Sequence, residues 1–282
     1  MTVIPDDVVA LVRDARHVTV FTGAGVSAES GIATFRGSGD SLWGRLDPMM
    51  LASVDGWAAD RDLVWGWYAW RIGQLDDVEP NDGHRALADL ATAERTVDVV
   101  TQNVDDLHER AGSTVVSHLH GRLTATRCAV CGDPYVGEVG RDDLDALDAD
   151  DLDSLRLTPP ACDACGGPVR PGVVWFGEML PQDDWNRALI SFARCDLVLI
   201  VGTSGLVHPA AGLPAEAAKR GVPIIEINPD ESGLSDLATH SIRATSATAL
   251  PAIVDALEAP AIPRRFANPP PIDAGPAKPC CF

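Results

Sequence analysis

Four short runs of apolar and β-branched residues recur along the chain, and each breaks off into small or polar residues. Val18-Thr19-Val20-Phe21-Thr22 runs into Gly23-Ala24-Gly25, and residues 97–101 run into Gln102-Asn103-Val104-Asp105. Residues 196–201 run into Gly202-Thr203-Ser204-Gly205, and residues 222–227 into Asn228-Pro229-Asp230. Runs this short, without polar alternation, read as strands buried on both faces. Stretches with helical periodicity lie around them, at 6–16, 81–94, 185–194, 209–220 and 250–257, and a short strand at 240–244. Strands alternating with helices predict an α/β fold built on a doubly wound parallel sheet. In such sheets ligands bind at the carboxyl ends of the strands, where the polar residues of this chain gather.

The turn after the first run holds Gly23, Ala24 and Gly25, small enough for close backbone approach to a phosphate. Ser27, Glu29 and Ser30 are candidates to cap a helix behind it. The third glycine, Gly31, comes late for the usual dinucleotide fingerprint, so a plain strand-to-helix turn without a ligand stays open. Beyond it, residues 32–40 are glycine-rich and polar and contain Arg36, which reads either as a phosphate clamp or as a surface arginine.

The chain carries 22 basic and 41 acidic residues, a formal net charge of −19. That balance argues against a nucleic-acid or anionic-membrane binder. The N-terminal residues lack a basic start followed by an apolar core, so no signal peptide is expected and the protein is expected to be cytoplasmic. Four of the seven cysteines form two CxxC pairs, Cys128/Cys131 and Cys162/Cys165. Four thiolates at this spacing suit one tetrahedral zinc, closed and therefore structural. The acidic stretch between the pairs, 141–157, reads as a solvated insertion and counts against a nucleic-acid zinc ribbon. Cys195 reads as a small buried hydrophobe, and the proline-rich 261–282, ending Cys280-Cys281-Phe282, as a disordered tail.

Two further groups have residue types suited to chemistry. Tyr68 and Arg71 are three apart in a tryptophan-rich helical stretch, 57–71, and share a face that reads ordinarily as a surface pair and alternatively as a grip on a carboxylate. His118 and His120 stand two apart in 114–121 and are expected to point to opposite faces. One of them beside Gly121 is a candidate general base, the alternative being a packed histidine.

Taken in order, these motifs resemble the sirtuins, NAD-dependent protein lysine deacylases. The motifs are Gly23-Ala24-Gly25-Val26-Ser27, Gly31, Phe35-Arg36, Gln102-Asn103-Val104-Asp105, His120-Gly121, the four cysteines, Val174-Trp175-Phe176-Gly177-Glu178, Gly202-Thr203-Ser204 and Asn228. The resemblance spans about residues 6–258 and implies a Rossmann-type domain, 1–120 with 179–260, carrying a zinc module at 121–178. Residues 34–80 would supply a cofactor loop and a helical part of the small lobe. It implies NAD contacts at Gly23, Ala24, Gly25, Glu29, Thr34, Phe35, Arg36, Gln102, Asn103 and Asp105. The adenosine half would meet Gly202, Thr203, Ser204, Asn228, Asp230 and Ser246. His120 would be the base, with Asn103 beside it in catalysis. Val174, Trp175, Phe176, Gly177, Gly205 and Leu206 would edge a groove in which a substrate strand pairs. The Tyr-x-x-Arg spacing of Tyr68 and Arg71 resembles the subgroup that removes succinyl, malonyl or glutaryl groups. Two departures stand out: Ala33 where many sirtuins have proline, and an extra residue between Arg36 and Trp43.

The expected activity is NAD-dependent removal of acyl groups from protein lysines by a monomer that binds neither nucleic acid nor membrane. Two alternatives use the same scaffold, a protein mono-ADP-ribosyltransferase and a weakly catalytic NAD-sensing module.

Overall fold

The computed structural model describes residues 3–32, 47–137, 147, 151 and 153–259. Six strands form one parallel sheet: β1 (His17–Thr22), β2 (Thr96–Thr101), β3 (Thr114–His118), β6 (Leu197–Val201), β7 (Ile224–Ile227) and β8 (His240–Ile242). Their order is β3-β2-β1-β6-β7-β8, so the chain reverses direction across the sheet between β1 and β6. That reversal opens a crevice at the carboxyl ends of β1 and β6. The central strands are buried on both faces: all five residues of β6 are buried, and so are five of the six in β1.

One face of the sheet packs against the helices Asp6–Asp14, Asp82–Asp89 and Ser246–Glu258, through Val8, Val12, Leu87, Leu90, Leu250 and Ile253. The other face packs against Gln182–Arg194 and Leu213–Ala218, through Ala188, Phe192, Leu213 and Ala217. Two strands outside this sheet, β4 (Gly121–Cys128) and β5 (Val169–Val173), pair antiparallel. They carry the four cysteines near one end and share a core with the helices Pro48–Leu51, Val54–Ala59 and Arg61–Asp77. That core holds Leu51, Leu63, Trp67, Tyr68, Leu123, Val173 and Trp175.

Several sequence expectations are corrected here. No α-helix follows the glycine turn within the described residues; two short 3-10 turns, Ala24–Val26 and Ala28–Ser30, take its place, and neither has a side-chain cap. The helix expected over 81–94 ends at Asp89, with Asn81 as its cap and His84 completing a reciprocal capping box. Beyond β5 the chain runs on to Phe176, which bridges Ser53, and turns at Gly177, φ +91°. The 141–157 stretch is not wholly solvated, because Leu155 is fully buried in the helical core. Gly66 makes room for it: a Cβ there would sit 1.6 Å from the Leu155 carbonyl oxygen.

The glycines of the first turn have a structural reason beside any ligand. Gly25 N–H donates to the Gly202 carbonyl at 2.8 Å, and a Cβ on Gly25 would lie 2.7 Å from that oxygen. The turns after β1 and β6 are thus in backbone contact across the crevice.

Candidate active site

The polar residues that end β1, β2 and β6 converge on this crevice. Thr22 and Thr101 hydroxyls bond at 2.8 Å between the strand ends. Gln102 donates through Nε2 to Thr203 Oγ1 at 2.9 Å, and Asn228 through Nδ2 to the Thr203 carbonyl at 3.0 Å. Asn103 donates through Nδ2 to Ser27 Oγ at 3.1 Å, and Ser27 donates to Asp105 Oδ2 at 3.1 Å. Ser27, Asn103 and Asp105 are all buried. Burial pushes the Asp105 carboxyl above its ordinary range, against the pull of the Leu107 N–H, Ser27 and the Arg71 charge. Ser27, read from sequence as a helix cap, therefore serves as the link between an amide and a carboxylate.

The opposite faces expected for His118 and His120 do not follow from strand geometry, in which residues two apart share a face; β3 ends at His118, His120 lies in the turn beyond it, and the two rings therefore meet different partners. His120 Nδ1 lies 3.1 Å from the Gln102 carbonyl, so that nitrogen carries the hydrogen and Nε2 keeps a lone pair. Burial lowers the His120 pKa and the Gln102 bond partly restores it, so the ring is neutral near pH 7. His118 instead lies 3.1 Å from the Asn103 carbonyl and 2.7 Å from Glu109 Oε1. One histidine is arranged to accept a proton and the other braces the loop that carries Asn103.

Two histidines escaped the sequence reading. His84 and His108 are buried with ring centroids 4.9 Å apart, directly behind the polar cluster. His108 Nε2 lies 3.0 Å from Thr22 Oγ1, and His84 Nε2 lies 3.4 Å from Ser27 Oγ. Burial, with the nearby Arg85 charge, lowers the His84 pKa to about 4. Burial and the neighbouring histidines push His108 well below its ordinary value. Only the Asn81-x-x-His84 capping spacing was available to flag either of them.

Tyr68 is 3% exposed and accepts a hydrogen bond from Trp175 Nε1 at 3.1 Å, which excludes a surface pair. Burial raises its pKa to about 12 despite the Arg71 charge, so the phenol stays protonated. Arg71 is half-buried with its guanidinium carbon 5.0 Å from the Trp67 ring centre. Its charge is felt at Tyr68 and Asp105.

Val174 N–H donates to the His120 carbonyl at 2.8 Å, and Phe176 N–H to the Ala52 carbonyl at 2.8 Å. This segment therefore runs from the candidate base to the helical core. Phe176, Met179 and Leu206 are exposed apolar side chains, and Gly205 turns at φ +67° beside Leu206. Glu29 is not turned into the crevice but accepts the Ala247 N–H at 3.2 Å, at the start of the Ser246–Glu258 helix. Ser246 is buried there with a hydroxyl that has no partner. Asp230 and Ser204 are exposed at the rim. Thr34, Phe35 and Arg36, with Ala33 and the extra residue before Trp43, lie outside the described residues.

The four sulfurs of Cys128, Cys131, Cys162 and Cys165 lie within 4.8 Å of one another. Cys128–Cys165 is 3.5 Å and Cys131–Cys162 3.7 Å, against about 3.8 Å between thiolates on a tetrahedral zinc. Each pair is followed by a glycine with positive φ, Gly132 at +80° and Gly166 at +73°. These glycines fold each CxxC back so that both of its sulfurs face one point. The donor set fits one structural zinc ion with no open position.

The profile of the Sir2 family matches residues 23–209, which includes the glycine turn, the Gln102–Asp105 edge, His120 and all four cysteines. The chain belongs to the Sir2 family. It is similar to the NAD-dependent protein deacylase 2 of Corynebacterium efficiens, 51% identical over 248 residues, covering 87% of this chain and 94% of that protein. Among solved Sir2 structures it resembles a Sir2 homologue in complex with NAD, 41% identical with a TM-score of 0.78, covering 91% of this chain and 94% of that one. It also resembles a mutant Sir2 homologue in complex with 2'-O-acetyl ADP ribose, 40% identical with a TM-score of 0.79, covering 90% and 96%.

Proposed function

We infer that this Sir2-family chain is an NAD-dependent protein lysine deacylase. The observation that carries the reading is His120, neutral and with a bare Nε2, beside the buried Ser27–Asn103–Asp105 cluster at the sheet's reversal. When bound, NAD supplies a ribose carbon with a cationic leaving group, so that the acyl group departs as O-acyl-ADP-ribose with nicotinamide. The chain's own residues would hold and deprotonate. Gly23, Ala24, Gly25, Gln102, Asn103 and Asp105 would hold the nicotinamide half. Gly202, Thr203, Ser204, Asn228, Asp230 and Ser246 would hold the adenosine half. Asn103 and Asp105, each buried, would orient polar groups without solvent competition. His120 Nε2 would take the proton of a ribose hydroxyl. The zinc would hold the two CxxC knuckles together and take no part in the chemistry.

The substrate would enter as an extended strand between the Val174–Gly177 segment and Gly205–Leu206. Residues 1–120 with 179–260 would form the nucleotide-binding unit and 121–178 the zinc module. We read the protein as a cytoplasmic monomer whose partners are acyl-lysine proteins; the −19 charge disfavours nucleic acid. No helix among the described residues is long and apolar enough to cross a membrane.

Acidic acyl groups would be preferred. The support is the burial of Tyr68 beside the Arg71 charge, a donor and a cation in an apolar, tryptophan-lined setting. The guanidinium fork suits a carboxylate. The test is NAD-dependent release from one peptide bearing acetyl- or succinyl-lysine, with nicotinamide and O-acyl-ADP-ribose as expected products. Arg71→Met should lower the succinyl-to-acetyl ratio of kcat/KM by on the order of 10²-fold, because truncating one partner strands a charge. Label from NAD that stays on protein instead of appearing in a small product would overturn deacylation in favour of ADP-ribosyl transfer. An equal loss on both peptides would make Arg71 structural.

A further inference from the structure

The hydrogen bond into Tyr68 has a direction. An indole N–H can only donate, so at 3.1 Å Trp175 Nε1 is the donor and the Tyr68 oxygen the acceptor. The phenol proton must then go elsewhere, and no described residue accepts it. A buried hydroxyl with an unspent proton is an unusual feature of a folded protein, where buried donors are almost always matched.

Trp175 is itself held on several sides. The Arg170 guanidinium carbon lies 3.5 Å from the Trp175 ring centre, stacked on its face. Arg170 pairs with both carboxylate oxygens of Glu178 and donates to the Val173 carbonyl at 3.2 Å. Glu178 also accepts the Trp175 backbone N–H at 2.8 Å, and Trp57 packs on the indole with centroids 5.4 Å apart. The indole therefore cannot swing its N–H away from Tyr68 without giving up its stacking on Arg170 and its packing on Trp57.

We propose that Trp175, clamped by Arg170 and Glu178, is the positioning residue that makes Tyr68 a committed hydrogen-bond donor to the distal carboxylate of an acidic acyl group. The proposal rests on the acidic-acyl reading above. An ionised carboxylate only accepts, and Tyr68, with a lone pair taken by the indole, has its proton to give. An acetyl group brings no such acceptor. Arg71 would supply charge, and Tyr68 a directed bond whose direction is set from behind.

The test compares kcat/KM on succinyl-lysine and acetyl-lysine versions of one peptide for wild type, Tyr68→Phe, Trp175→Phe and the double variant. Trp175→Phe keeps an aromatic ring and deletes the N–H. It should lower the succinyl-to-acetyl ratio by about three- to tenfold, mainly through KM for the succinyl peptide. In the Tyr68→Phe background the same change should leave the ratio where Tyr68→Phe put it, because no hydroxyl remains to direct. Arg170→Lys, which loses the stacked fork, should move the ratio the same way by a smaller factor and serves if Trp175→Phe does not fold. A ratio loss that persists without the hydroxyl, or equal losses on both peptides, would show that Trp175 acts by packing and would overturn the proposal. A wild type that does not prefer the succinyl peptide removes the acidic-acyl reading and the proposal with it. Tyr68→Phe lowering the ratio while Trp175→Phe and Arg170→Lys keep it removes the proposal alone.

Discussion

His120 works as a base because of one carbonyl. The Gln102 oxygen takes the Nδ1 hydrogen and leaves Nε2 bare, while burial keeps the ring uncharged near pH 7. His120→Ala should therefore cost about 10²–10⁴-fold in turnover, the usual scale of a lost general base. NAD binding, followed by calorimetry, should survive, because the nucleotide contacts proposed here belong to other residues. A variant that turns over at near wild-type rate would take the role away from His120. Its neighbour two residues earlier shows how fine the placement is: His118, the last residue of β3, spends its ring nitrogens on the Asn103 carbonyl and Glu109.

At the level of elements, β4 and β5 form a two-stranded ribbon, marginal on its own in water. One of its faces is buried against the tryptophan-rich helices, and the cysteine knuckles tie the loops at one end. Metal binding is then part of folding. Cys128→Ser or Cys165→Ser should reduce zinc content, measured by metal analysis, and the thermal midpoint together. Activity should fall as a consequence, since Val173 and Trp175 share the core that the ribbon completes. A metal-free variant that keeps its melting temperature and turnover would show the knuckles to be dispensable. A second element-level dependence is the cap at Asn81, which accepts from the Gly83 and His84 amides and donates to the Val26 carbonyl and Ser30. It ties the helix start to the turn after β1 and so places His84 behind Ser27.

Across the whole molecule, the buried ionisable groups set one direction of pH dependence. His84 titrates near 4 when folded and near its ordinary 6.5 when unfolded, so between those values the unfolded chain binds more protons. Stability from this residue is present above about pH 6.5 and is lost as pH falls through 4, by up to about 3 kcal/mol. His108 acts in the same direction. Glu226 adds to the loss at lower pH. Burial raises its pKa, but Ser232, Ser235 and Arg243 outweigh that and hold it below the usual carboxylate range. The thermal midpoint should fall as pH drops from 6.5 to 4, and His84→Gln should flatten that slope; an unchanged slope would mean His84 does not stay neutral in the fold. The alternation of apolar runs with polar ends was enough to read the parallel sheet, and CxxC spacing enough to read the metal knuckles, because both patterns are local and repeat at fixed intervals. The order of motifs was enough to place the chain among the sirtuins. What the helix expected after Gly25 became, why Ser27 joins Asn103 to Asp105, and that His84 and His108 sit behind them depended on the tertiary structure. So did the burial of Leu155 and the bond from Trp175 to Tyr68, 107 residues apart. These contacts join segments far apart in sequence, and their partners are fixed by how the sheet reverses and how the ribbon packs on the helices. No local periodicity records that packing.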